Sequence, residues 1–298
     1  MQIMKNRTHW AVWGAVTALC AFTASVWAQD KDPNSSTTPS ASSATTTTPT
    51  AQNANTLGKV ERSNKLIGKE VYSSDNQKIG KIKDLVVDLE SGRVLYAVVN
   101  AKNTVAIAPG VFSETSSDNN IHSTVDKAKF DGAPQFTSDI DSQQTLAKAD
   151  FVSKVYEYFG QTAWWQGSTP ANQGSFNNTH KASDTEGMKV FNESNQDIGK
   201  VDNLAIDLPA GRVVYVIFSP AYSMKLGSNL YALPPNALSL SPDQKNLVCN
   251  IDKDKLSNAP HFAKSQWPDL SSPAYAQQVY AFYGKQLWFQ GGLQPTGR

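Results

Sequence analysis

Asp88 and Asp207 stand at matching places in two similar stretches of sequence, each five residues ahead of an arginine, Arg93 and Arg212. A carboxylate placed this way could act as a general acid or base, and the guanidinium could hold an anion. Acid–base chemistry by carboxylates works in pairs, so it needs a second group beside the first. Asp84 could serve Asp88, but the residue matching Asp84 is Asn203, which cannot take or give the proton. An Asp beside a glycine turn has a simpler use: it accepts hydrogen bonds from the turn amides. The sequence therefore predicts that Asp88 and Asp207 brace turns, and that Arg93 and Arg212 pair with nearby carboxylates. His9, His122, His180 and His261 are scattered, and Cys20 and Cys249 are too few for a zinc cluster or a disulfide scaffold. No Ser-His-Asp, Cys-His or glycine-rich phosphate pattern falls in a fitting context. The expectation is a protein that is not an enzyme, with no catalytic residue, metal or cofactor.

Aromatic residues are the remaining candidates. Trp164, Trp165, Trp288 and Phe289 follow two tyrosine-rich segments containing Tyr156, Tyr158, Tyr280 and Tyr283. They can fill a core, form an exposed docking patch of large area and small entropic cost, or line a cleft for an apolar or sugar-like ligand. Tyr222 and Met224 lie in an insertion found in only one of the two similar stretches, where a specificity difference is best placed. Trp164, Trp165, Trp288, Phe289, Tyr222 and Met224 form the candidate binding set.

The 298 residues carry 27 Lys/Arg against 26 Asp/Glu, a net charge of +1. That balance excludes a strongly basic nucleic-acid binder, whose affinity comes from counterion release by many cations. Residues 1–28 read as a signal peptide: Lys5 and Arg7 precede an uncharged run from Trp10 to Ala28, ending in Val26-Trp27-Ala28 before Gln29. The competing reading keeps residues 10–28 as an inner-membrane anchor, since the run nears the minimum for a span. Residues 29–61 hold a Ser/Thr/Pro-rich tract that cannot bury enough apolar surface to offset its ordering entropy, and read as a disordered linker. The mature chain would be periplasmic or secreted, with Cys249 its single thiol. That residue sits in the alternating segment Asn246–Ile251, so a buried, inert thiol on a strand is expected.

The body of the chain is a unit written twice. Shifted by 119, Ile79–Tyr96 falls on Ile198–Tyr215 with ten of eighteen residues identical. After a six-residue insertion in the second copy, Val105–Pro109 matches Leu230–Pro234. Ala133–Phe136 then matches Ala259–Phe262, Val155–Gly160 matches Val279–Gly284, and Trp164–Gln166 matches Trp288–Gln290. Repeat 1 spans 62–166 and repeat 2 spans 182–290, joined by a linker at 167–181 and followed by a flexible tail at 291–298. Each copy is large enough for its own core.

Within each copy, Leu85, Val87 and Leu89 alternate as a strand, and Gly92 or Gly211 closes a hairpin turn. The return strands Val94–Val99 and Val213–Phe218 are apolar on both faces, so both faces must be covered. Ile82 and Leu85 can both point inward only across a bulge. Phe151, Val155, Tyr158 and Phe159 recur at helical spacing, as do Val279, Phe282 and Tyr283, with Gly160 and Gly284 at the C-cap. The fold class is mainly β: two tandem small barrels, each followed by a short amphipathic helix with an aromatic tail.

The segments Gly68–Tyr72, Ile79–Asp88, Ser91–Val99 and Val105–Pro109, with their second copies, resemble the PRC-barrel domain. The resemblance covers residues 63 to about 130 and 182 to about 256. It implies a compact six-stranded barrel used for docking onto other proteins, and no catalytic residues. The expected partner is a protein of the cell envelope, with no nucleic acid, and with a membrane only if the N-terminal segment is retained. The two repeats are expected to pack on each other about a pseudo-two-fold axis, covering the apolar faces of their hairpins.

Overall fold

A computed structural model describes residues 57–113, 118–135, 148–163, 176, 178–251 and 253–287. Residues 1–56, with the segment read as a signal peptide and the Ser/Thr-rich tract, lie outside the described residues, as do Trp164, Trp165, Trp288, Phe289 and the C-terminal tail.

Each repeat is organised around one long hairpin. In the first, β3 (Lys78–Asp88) runs antiparallel to β4 (Arg93–Asn100), and in the second β9 (Asp197–Asp207) pairs with β10 (Arg212–Pro220). The turn glycines take the left-handed conformation, with φ of 66° at Gly92 and 61° at Gly211, which an L side chain resists. A bulge interrupts the register between Ile82 and Asp84, and its counterpart lies at Val201–Asn203. It lets both Ile82 and Leu85 turn inward, and both are buried.

A short strand precedes each hairpin and pairs with it: β2 (Glu70–Tyr72) with β3, and β8 (Lys189–Phe191) with β9. On the other side, β5 (Thr104–Ile107) pairs with β4, and β11 (Asn229–Leu233) with β10. The sheet then curls back. β6 (Ile121–His122) joins β2 in parallel, and β13 (Leu247–Cys249) joins β8 in parallel. The return strands β4 and β10 are buried almost throughout. One face lines the curled interior, and the other meets an amphipathic helix, α3 (Ala149–Tyr158) in repeat 1 or α6 (Pro273–Phe282) in repeat 2. Gly160 and Gly284 end these helices at φ of 64° and 65°.

Each repeat also receives a strand from the other. β1 (Val60–Arg62), at the start of repeat 1, pairs with β9 of repeat 2, placing Val60 opposite Asp207. β7 (Thr179–Lys181), at the start of repeat 2, pairs with β3 of repeat 1, placing Thr179 opposite Asp88. The two pairings are related by the same offset of 119 that relates the sequences. Each arm continues into a one-turn helix, α1 (Ser63–Leu66) or α4 (Ala182–Thr185), and returns to its own repeat through Gly68 or Gly187, at φ of 91° and 87°. The hairpin tips also meet, with Arg93 opposite Arg212. The Val94 amide donates to the Gly211 carbonyl at 3.0 Å, and the Val213 amide donates to the Gly92 carbonyl at 2.9 Å. The hydrogen-bonded path therefore runs unbroken through both repeats as one 14-stranded sheet, while the two halves keep like topologies. The folded body also begins before the expected boundaries at 62 and 182, because the exchanged strands fall in segments whose composition reads as linker.

Candidate functional site

The carboxylates singled out by the sequence sit where the arms meet the hairpins. Asp88 ends β3, and its side chain accepts from the Ser91 amide at 3.0 Å and from the Ser91 hydroxyl, bracing the turn. Its other oxygen accepts from the Asn178 amide of the opposite repeat at 3.2 Å. Asp207 does the same in reverse: it accepts from Ala210 in its own turn at 3.3 Å and from Gly58 in the exchanged arm at 3.0 Å. Arg212 lies 3.9 Å from the Asp207 carboxylate, the ion pair expected there. Both aspartates are buried. Desolvation raises the Asp88 pKa, and the Ser91 and Asn178 hydrogen bonds only partly oppose the rise. Burial lowers the Arg93 pKa to about 10, and Arg212 opposite it adds to the effect. The turn-bracing reading of the two aspartates thus holds, and each also clasps the other repeat.

A second reciprocal contact lies one turn deeper. The Ser183 hydroxyl of α4 bonds Asp84, whose carboxylate also accepts from the Leu85 amide at 2.8 Å and the Ser183 amide at 3.2 Å. On the other side the Ser63 hydroxyl of α1 lies 2.9 Å from the Asn203 amide oxygen and 2.7 Å from Glu186. This accounts for Asp84 and Asn203 holding one position: both receive a serine from the exchanged arm. The serines were not legible as site residues, since nothing in a one-turn polar helix says which repeat it touches.

The other candidates take structural places. The His122 ring stacks on Tyr72 with centroids 5.6 Å apart, and its Nε2 lies 3.0 Å from Asp118. His261 is exposed and its ring leans on Tyr231. Among the described residues, no group of three or more His, Cys, Asp or Glu is placed to hold a metal ion. Tyr156 and Tyr280 are buried core residues, and the Tyr158 hydroxyl donates to the Lys129 carbonyl at 2.8 Å. Cys249 is buried on β13, and desolvation pushes its thiol up to about 12. Because the thiolate is the reactive form, alkylation of the folded protein at pH 8 should run about a thousandfold slower than for an ordinary thiol. The rate should climb with pH toward 12, and in denaturant it should become ordinary. Rapid labelling of the native protein at pH 8 would contradict the placement.

Two exposed features remain. The insertion of repeat 2 forms a 3-10 turn at Tyr222–Met224, held by a left-handed Lys225 at φ 53°. Met224 is buried and anchors the turn, so it is not a surface contact, whereas Tyr222 is fully exposed. No other described large hydrophobic side chain is exposed in this way. The second feature is an open groove of about 470 Å³ between the first arm and the segment after β14 (His261–Ala263), lined by Arg62, Lys65, Ser265, Trp267, Pro268 and Asp269, among others. The Arg62 guanidinium lies over the Trp267 ring at 4.5 Å, a cation–π contact that ties arm to partner repeat. Neither Arg62 nor Trp267 carried a signal in the sequence, because the groove exists only once the arm has crossed over.

A twice-written hairpin, curled into half-barrels that clasp each other by buried carboxylates, defines a small-barrel module present in two copies. The PRC-barrel domain matches residues 58–123 and 177–256, once in each half, and the chain belongs to that family. Both matched segments begin at the exchanged arm, ahead of the start that the quoted motifs suggested. A comparison with curated proteins gave no match.

Proposed function

We propose that this protein is a non-enzymatic adaptor, exported to the periplasm or beyond, whose paired PRC barrels dock a protein partner in the cell envelope. The observation that supports the reading is Tyr222: a fully exposed aromatic on a turn that repeat 1 lacks, held in place by a buried Met224. An exposed ring on an anchored turn offers large contact area at small entropic cost. The buried carboxylates, by contrast, are occupied by amides of the exchanged arms. In this reading residues 1–28 direct export, and the Ser/Thr/Pro-rich tract that follows gives the paired barrels reach toward a partner.

The reading is tested by placing a photo-crosslinking side chain at position 222 in the full-length protein and irradiating envelope extracts. One discrete crosslinked species is expected, and Met224→Ala, which removes the buried anchor of the turn, should weaken it severalfold. If position 222 yields no more product than an exposed control such as Lys102, docking through this turn is wrong. The groove beside Trp267 favours a second reading, in which a small ligand rather than a protein is bound. In that case Trp267→Ala, and not a change at Tyr222, would abolish ligand binding.

A further inference from the structure

Beneath α6, the second repeat buries three phenolic oxygens that have no hydrogen-bond partner among the described residues: those of Tyr215, Tyr275 and Tyr283. A hydroxyl removed from water without a replacement bond is destabilising, so such groups are rare and call for a cause. Poor packing is not the cause, because the neighbouring Tyr280 hydroxyl donates to the Val214 carbonyl at 2.9 Å. The rings of Tyr275 and Tyr283 are only partly buried, yet their oxygens are covered, so both hydroxyls turn inward from the surface. There they join the apolar cluster of Tyr215, Leu230, Val279 and Tyr280.

The first repeat supplies an internal control. At the positions of Tyr215, Tyr275, Tyr280 and Tyr283 it carries Tyr96, Phe151, Tyr156 and Phe159. The central ring pair packs alike in both: Tyr96 meets Phe151 edge-on at 5.6 Å, and Tyr215 meets Tyr275 edge-on at 5.7 Å. Phenylalanine therefore suffices to build this interface, and the two added oxygens in repeat 2 serve something other than packing.

We propose that the second repeat, and not the first, holds a small hydroxyl-bearing guest beneath α6, hydrogen-bonded by Tyr215, Tyr275 and Tyr283. Phenols both donate and accept, so the fitting guest does both: an ordered water or a small polyol. An ion would be desolvated in this cluster and is the wrong chemistry. Burial pushes the Tyr275 hydroxyl up to about 12 and raises those of Tyr215 and Tyr283, so all three stay neutral at ordinary pH. The site stands independently of the docking turn at Tyr222.

The test gives repeat 2 the residues of repeat 1 by making Tyr275→Phe and Tyr283→Phe together in the full-length protein, with each single variant as a check on folding. If a guest is held, the double variant loses its bonds and melts several degrees lower. If the oxygens are simply unsatisfied, the variant melts at the same temperature or higher, which overturns the proposal. Two further measurements name the guest. Fewer long-lived waters in the variant by magnetic relaxation dispersion identifies water. A larger rise in melting temperature with glycerol for the natural chain than for the variant identifies a polyol and cancels the general osmolyte effect. A lower melting temperature with no difference in either measurement also counts against a guest.

Discussion

Replacing Asp207 with Ala is expected to destabilise the protein by about 3–5 kcal/mol, the range for removing one partner of a buried charge pair. The Asp207 carboxylate is buried, and it serves three groups at once: the Ala210 amide in its own turn, the Gly58 amide in the exchanged arm, and the Arg212 guanidinium. Its removal strands two amides and takes the nearby carboxylate from a buried cation. Asp88→Ala should cost less, about 1–3 kcal/mol, because among the described residues Asp88 is held by the Ser91 and Asn178 hydrogen bonds and not by an ion pair. Urea denaturation of both variants reads the difference, and typical domains have only about 5–15 kcal/mol to lose. Equal and small losses would mean that the two carboxylates are solvated and brace nothing. An exposed acid–base pair would show just that, so the measurement also separates the structural role of these residues from a catalytic one.

Cutting the chain between the repeats is expected to leave the two halves bound to each other. A specific protease site placed between residues 167 and 174 of the full-length protein separates the repeats covalently. The strand pairings and serine bonds of the arms nevertheless cross from one half to the other: β1 on β9, β7 on β3, the paired hairpin tips and the serine bonds at Asp84 and Asn203. The halves should co-elute in size-exclusion chromatography at micromolar concentration. Val60→Asp should separate them after cleavage, since Val60 is buried among Ala205, Val214, Tyr215 and other side chains of repeat 2. In the uncut protein the same substitution should be tolerated better. The linker keeps the halves at an effective concentration of about millimolar, which offsets a weaker interface. Fragments that elute separately straight after cleavage would show that each repeat folds alone and that the arms contribute little.

Much of this fold was legible because it rests on short-range rules. The period-two pattern of Leu85, Val87 and Leu89, the left-handed glycines 92 and 211, the bulge between Ile82 and Leu85 and the capping glycines 160 and 284 each follow from neighbours in the chain. The burial of Cys249 and the turn-bracing of Asp88 and Asp207 follow from the same local context. Tyr222 was legible as an insertion, but its neighbour Met224 was not legible as an anchor, because the spacing does not say which of the two points inward.

The amino-acid sequence alone determined that one β-hairpin unit is present twice, where its turns and bulges lie, and that its carboxylates belong to turns. Only the tertiary structure decided ownership: which repeat receives each arm, what Ser63 and Ser183 bond, and that Arg62 and Trp267 line a groove together. The physical reason is that backbone hydrogen bonds across a sheet edge carry no residue code. Val60-Glu61-Arg62 can pair with β3 or β9 equally well as far as their own side chains tell, and the choice falls to the packing of two whole half-barrels around them.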